Sequence, residues 1–95
     1  MRIFKYQLHI EEARSSTFEH PIPKGAKFLS VQTQHEVPCI WFLVEPSNEE
    51  EIRVFEIIGT GIPCAVLSGD IYLGSFQLRG GSFIGHVFDI TESVR

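Results

Sequence analysis

Between Val37 and Gly61 the chain reads VPCIWFLVEPSNEEEIRVFEIIGTG, and its first half permits very little. Cys39 to Val44 run Cys, Ile, Trp, Phe, Leu, Val, so both parities are apolar and a strand made of them has no face to give to water. Such a strand belongs in the middle of a sheet, covered on both sides. Glu45-Pro-Ser-Asn-Glu-Glu then supplies turn chemistry, because Pro46 fixes φ and Ser47 and Asn48 can bond neighbouring backbone. The run Glu51 to Ile58 sets Ile52, Val54 and Ile58 on one parity and Arg53, Phe55 and Ile57 on the other. It reads as a second central strand, and the two are expected to pair as a long hairpin.

Flanking segments are shorter and alternate more cleanly. Ile3 to Ile10 sets Phe4, Tyr6, Leu8 and Ile10 against Lys5, Gln7 and His9, a strand with one wet face. Glu11 to Ser16 lacks an apolar stripe and reads as a loop leading to a short extended piece at Thr17 to Glu19. Pro21 and Pro23 argue against continued central pairing, and Lys24-Gly25 is a turn. Ala26 to Gln34 is a strand with Phe28 on one parity and Leu29, Val31 and Thr33 on the other, closed tightly by His35-Glu36. After Gly59-Thr60-Gly61-Ile62-Pro63, a corner, Cys64 to Leu67 reads as a short strand and Ser68-Gly69-Asp70 as a turn. Ile71 to Leu78 is a strand with Tyr72, Phe76 and Leu78 on one face and a bulge or close backbone approach at Gly74. Arg79 to Ser82 connects it to a last strand with Ile84, His86, Phe88 and Ile90 on one parity, and the chain is expected to fray beyond Thr91. The fold class is all-β: a single domain over residues 1–95, a small antiparallel barrel or a two-sheet sandwich of six to seven strands.

A chain of 95 residues buries only about 60 to 65% of its unfolded surface, so its own core is thin and assembly as a homo-oligomer is expected. The net charge of −4, with basic residues scattered, argues against a nucleic-acid partner. No apolar run is long enough to span a membrane and the N-terminus alternates, so a cytoplasmic location is expected. Cys39 and Cys64 both lie in apolar stretches without metal-ligand spacing and read as free buried thiols. The histidines, His9, His20, His35 and His86, are never paired at metal-ligand spacing, so neither a metal nor a cofactor is expected. No nucleophile-and-base motif is present, which favours a protein that is not an enzyme.

What remains is binding. Gly59-Thr60-Gly61 can turn backbone N–H groups toward an anion, Arg53 and Arg79 can add charge, Trp41 offers a flat apolar partner, and His86 shares a parity with apolar residues. Trp41, Arg53, Gly59, Thr60, Gly61, Arg79 and His86 are therefore the candidate ligand-binding residues, expected to meet at the end of the central hairpin.

The segments IFKYQLHI, IPKGAKFLSVQTQ, VPCIWFLVEP, IRVFEIIGTGIP, YLGSFQL and GGSFIGHVFDI, in that order, resemble a family of small uncharacterised proteins of bacteriophage and bacterial genomes along nearly the whole chain. The resemblance implies no catalytic residue. It implies a context, that of small accessory phage proteins which counter host defences by blocking a protein or sequestering a nucleotide signal. The expectation is a non-enzymatic oligomeric binding module that sequesters a small anionic ligand, such as a nucleotide immune signal, in counter-defence. The alternative is a protein-binding inhibitor or structural accessory protein acting on a host or virion protein, for which the acidic Glu49-Glu50-Glu51 turn is suited.

Overall fold

In the computed structural model, which describes residues 1–9 and 16–94, the chain forms strands β1 (Arg2–Gln7), β2 (Ser16–Pro23), β3 (Lys27–Gln34), β4 (Val37–Val44), β5 (Glu50–Gly59), β6 (Ile71–Leu78) and β7 (Phe83–Asp89). They make two antiparallel sheets, a three-stranded one in the order β1-β4-β3 and a four-stranded one in the order β2-β5-β7-β6. The sheets do not close into a barrel; the fold is a sandwich. The loop expected over Glu11 to Ser16 lies almost wholly outside the described residues, Ser16 opening β2.

β4 and β5 are both interior strands, as their two-sided apolar pattern requires, but they do not pair. β4 bonds to β1 and β3, and β5 bonds to β2 and β7, so the Glu45 to Glu49 turn crosses from one sheet to the other. The expected hairpin is corrected to an arch. Turn residues such as Pro46 and Ser47 reverse the chain equally well within a sheet or between sheets; burial of Phe42 and Phe55 against each other decides. Their ring centroids are 6.0 Å apart across the sandwich, each side chain fully buried. Around them Leu8, Ile22, Ile40, Val44, Ile57, Phe76, Leu78 and Val87 complete one core. Burying a large apolar side chain stabilises by about 1.5 to 3 kcal/mol, and a chain this small has few to spare.

Among the described residues, only one face of β4 is covered. Ile40, Phe42 and Val44 point into the core, while Trp41 and Leu43 are half-buried on the outward side, where the sequence pattern led one to expect a second layer. Cys39 shares that outward parity and is nonetheless fully buried. The Lys5 ammonium reaches Gln34 Oε1 from β1 across β4 to β3, which draws the lysine stem over that end of the strand.

Two bulges adjust the parities. The β3 register slips between Phe28 and Ser30, so Phe28 and Val31, opposite Phe42 and Ile40, both face the core and Leu29 is expelled to the surface. The β6 register slips between Tyr72 and Gly74 as expected for that glycine, whose φ is 152°. The slip puts Tyr72 on the outward face and Phe76 and Leu78 inside, correcting their expected common face. A Cβ at Gly74 would lie 3.6 Å from Val31, so the glycine marks where the β6 and β3 edges of the two sheets meet.

β2 runs on through Pro21 and Pro23, past the short extended piece expected. The Lys24 N–H bonds Glu49 O at 2.9 Å, so in this antiparallel register even-numbered residues turn their N–H groups to β5 and odd-numbered ones turn outward. Both prolines fall where no donor is needed, which makes β2 an edge strand. His35 and Glu36, with φ of 51° and 63°, form the two-residue turn between β3 and β4. Residues 61–70 form an exposed loop with no strand at Cys64 to Leu67, and Cys64 is exposed, which corrects both expectations. Past Asp89 the chain is pinned: Thr91 to Ser93 make a 3-10 turn with Thr91 buried. Among the described residues no helix is long and apolar enough to cross a membrane.

Candidate functional site: the outward sheet faces

The outward face of the three-stranded sheet is built from alternate residues of its strands. Ile3, Lys5 and Gln7 of β1 stand opposite Leu43, Trp41 and Cys39 of β4, and Lys27, Ser30 and Gln32 of β3 stand opposite the same three. Ile3 is 61% exposed and Leu29 45%, with Trp41 half-buried between them. Together with Ser30 and Gln32 they line a depression of about 280 Å³. Charge is segregated: β1, β3 and β4 contain Arg2, Lys5 and Lys27 and no acidic residue, which leaves the chain's twelve acidic residues elsewhere. This face offers a flat indole, apolar walls, two amide or hydroxyl side chains and positive charge in an otherwise acidic protein.

A second cluster occupies the corner after β5. His86 Nε2 and Thr60 Oγ1 are 2.8 Å apart, and His86 Nδ1 and the Tyr72 hydroxyl 2.9 Å. Thr60 Oγ1 also lies 3.2 Å from Ile84 O, to which its single proton goes. His86 Nε2–H then donates to Thr60, and Tyr72 O–H donates to Nδ1. Both ring nitrogens are engaged, and the imidazole crosslinks β6, β7 and the turn after β5. Beside it Gly59, Thr60, Ile62, Gly81, Ser82, Phe83 and Ile84 line a cavity of about 300 Å³.

The seven residues singled out from the sequence are therefore dispersed. Gly59, Thr60, Gly61 and His86 gather at this corner, and Arg79 opens the 3-10 turn Arg79–Gly81, which contributes Gly81 to the same cavity. The Arg79 N–H donates to Glu36 Oε1 at 2.7 Å, so a carboxylate of the chain itself stands at that turn. Trp41 is on the other sheet, facing away. Arg53 points into the sandwich, where its guanidinium carbon is 5.4 Å from the Phe42 ring centroid and it is ion-paired with Asp89. The expected meeting point presupposed a β4–β5 hairpin, and the arch separates its members.

The Arg53–Asp89 pair is nearly closed to solvent, with side chains 19% and 5% exposed. Asp89 Oδ1 also accepts from the Thr91 N–H at 3.0 Å and the Thr91 hydroxyl at 2.6 Å, while Thr91 Oγ1 accepts from the Val54 N–H at 3.0 Å. Burial pushes the Asp89 carboxyl upward, but the bonds from Arg53 and Thr91 and the guanidinium charge outweigh it and hold it below the usual range. Arg53 is thus spoken for. The sequence reading missed Ile3, Lys5, Lys27, Leu29, Ser30 and Gln32; their shared signal was three acid-free strands, visible only once β1, β3 and β4 are known to be neighbours.

These features define a two-sheet antiparallel β-sandwich with one sheet face left open, aromatic and free of acid among the described residues. No curated protein and no solved structure matches it. The chain belongs to the family described as Domain of unknown function (DUF7352), whose model matches residues 1–94.

Proposed function

We propose that this protein is a non-enzymatic, homo-oligomeric binding module that sequesters a small anionic ligand carrying a flat ring, and that the ligand lies on the outward face of the three-stranded sheet. The observation that carries the reading is the open Trp41 depression in a sheet with three basic and no acidic residues. A ring stacks on an indole whatever its substituents, and exposed lysines steer an anion to it. Lys5 and Lys27 take the part the sequence had suggested for Arg53 and Arg79. In the phage setting that the sequence resemblance implies, a nucleotide signal of host defence is such a ligand, met in the host cytoplasm.

Trp41 is the sole tryptophan, so emission excited selectively at tryptophan, beyond the tyrosine absorption of Tyr6 and Tyr72, reports this face alone. Titration with adenosine monophosphate and with a panel of linear and cyclic nucleotides should shift or quench the emission. The response should be weaker for adenosine without phosphate, weaker in high salt and weaker in Lys5→Ala/Lys27→Ala. Unchanged emission and no calorimetric heat with any of the panel would refute the reading. The second reading, a module that blocks a host or virion protein, is favoured by one feature: the loop after β5 exposes Ile62, Val66 and Leu67, with Val66 and Leu67 each 56% accessible.

A further inference from the structure

A two-sheet sandwich has four edges, and three of them are protected here. β3 and β6 cover each other where Gly74 meets Val31, and β2 turns two prolines outward. β1 is left. Its Leu8 N–H bonds Pro38 O at 2.9 Å, continuing the β1–β4 register, so even-numbered residues of β1 bond to β4 and Ile3, Lys5 and Gln7 turn their backbone groups to the open side. Gln7 O is taken by His20 Nε2 at 2.9 Å. Among the described residues, the outward groups of Ile3 and Lys5 have no backbone partner.

The sequence of this edge selects its occupant. Antiparallel pairing of β1 with β1 of a second copy about Phe4 sets Phe4 against Phe4 of the partner subunit, at the closely spaced position without bonds between the pair. Ile3 then stands opposite Lys5 of the partner subunit, and each of those two pairs exchanges two backbone hydrogen bonds. A shift of two residues toward Gln7 would set the lysines directly against each other, so the charge that normally guards an edge here disfavours that neighbouring register. Phe4 is 36% exposed and Ile3 61%, both at the strand end this pairing covers.

We infer that β1 is a dimerisation edge, joining two three-stranded sheets about Phe4 into one continuous sheet, and that the partner's Lys5, on leaving Gln34 of the partner subunit for a bound anion, completes the cationic wall of the Trp41 depression beside Ile3. The second half of this inference rests on the ligand reading above; the first does not.

The test is disulfide trapping in a Cys64→Ser background, which removes the exposed native thiol. Two Cα atoms about 4.5 Å apart, as in a closely spaced pair, lie within disulfide range. Oxidised Phe4→Cys should run as a covalent dimer, and mixed Ile3→Cys and Lys5→Cys chains should give a crosslinked heterodimer that neither gives alone. Lys5→Pro, which removes an outward N–H and no bond to β4, should convert the dimer to monomer by light scattering with its circular dichroism unchanged. Folded cysteine variants that fail to crosslink, or a parent chain monomeric at micromolar concentration, would overturn the inference whatever the nucleotide titration gives. A crosslinked dimer that leaves Trp41 silent toward nucleotides would keep the edge and overturn the role given to the partner's Lys5.

Discussion

Replacing Asp89 by alanine should cost this protein a large part of its stability, and the structure says why. The carboxylate is the counter-ion of Arg53 inside the sandwich and the acceptor for both donors of Thr91. Its removal strands a guanidinium over the Phe42 ring and frees the hydroxyl that holds the Val54 N–H. Breaking a buried pair by deleting one partner costs about 3 to 5 kcal/mol. A chain of this length has about 5 to 14 kcal/mol in all. Urea unfolding of Asp89→Ala should therefore show a midpoint lowered by about a fifth or more at unchanged slope, with a drop in Tm of roughly 12 °C or more. The decisive variant is Arg53→Met/Asp89→Leu, which removes both charges and keeps apolar volume. It should be more stable than the two single changes summed, by about 2 kcal/mol or more, because each single change leaves an orphaned charge and the double change leaves none. A single-variant cost under about 1 kcal/mol, or strict additivity, would mean that water reaches the pair and that Arg53 is free to bind a ligand after all.

Two further outcomes follow from the same geometry. Asp89 has its folded-state pKa depressed, so its contribution is fully present above the ordinary carboxylate value of 3.8 and is lost as pH falls through the lower folded value. Urea midpoints taken from pH 6 down to the acid limit should fall at the acid end for the parent and less steeply for Asp89→Asn. A thiol reagent should modify one cysteine per native chain, the exposed Cys64, and both after denaturation. Burial pushes the Cys39 thiol up, against the opposing effects of Lys5 and a backbone bond from Gln34, so rapid native labelling of Cys39 would mean that the Lys5 stem does not cover it.

Two-sided apolar runs identified β4 and β5 as interior strands, and prolines and glycines located the edge at β2, the bulge at Gly74 and the turns at His35 and Arg79. These are local statements. Each depends on what one residue's φ, donor or side chain permits, and the chain carries that information wherever it goes. Pairing is not local: Glu45 to Glu49 can close a hairpin or cross between sheets, and the contact of Phe42 with Phe55 chooses the crossing. That choice sent Arg53 inward to Asp89 and Trp41 outward to Lys5 and Lys27, dividing a site that composition alone had assembled. Parity was legible within a strand but not through a bulge, which is why Leu29 and Tyr72 surfaced on faces the alternation did not assign. The sequence by itself determined where most strands run and where they turn, though not that Cys64 to Leu67 stay a loop or that β2 continues to Pro23. Which strands lie side by side, and so which charges share a surface, was decided by the burial of side chains far apart in the chain, because that free energy exists only once both partners have left water.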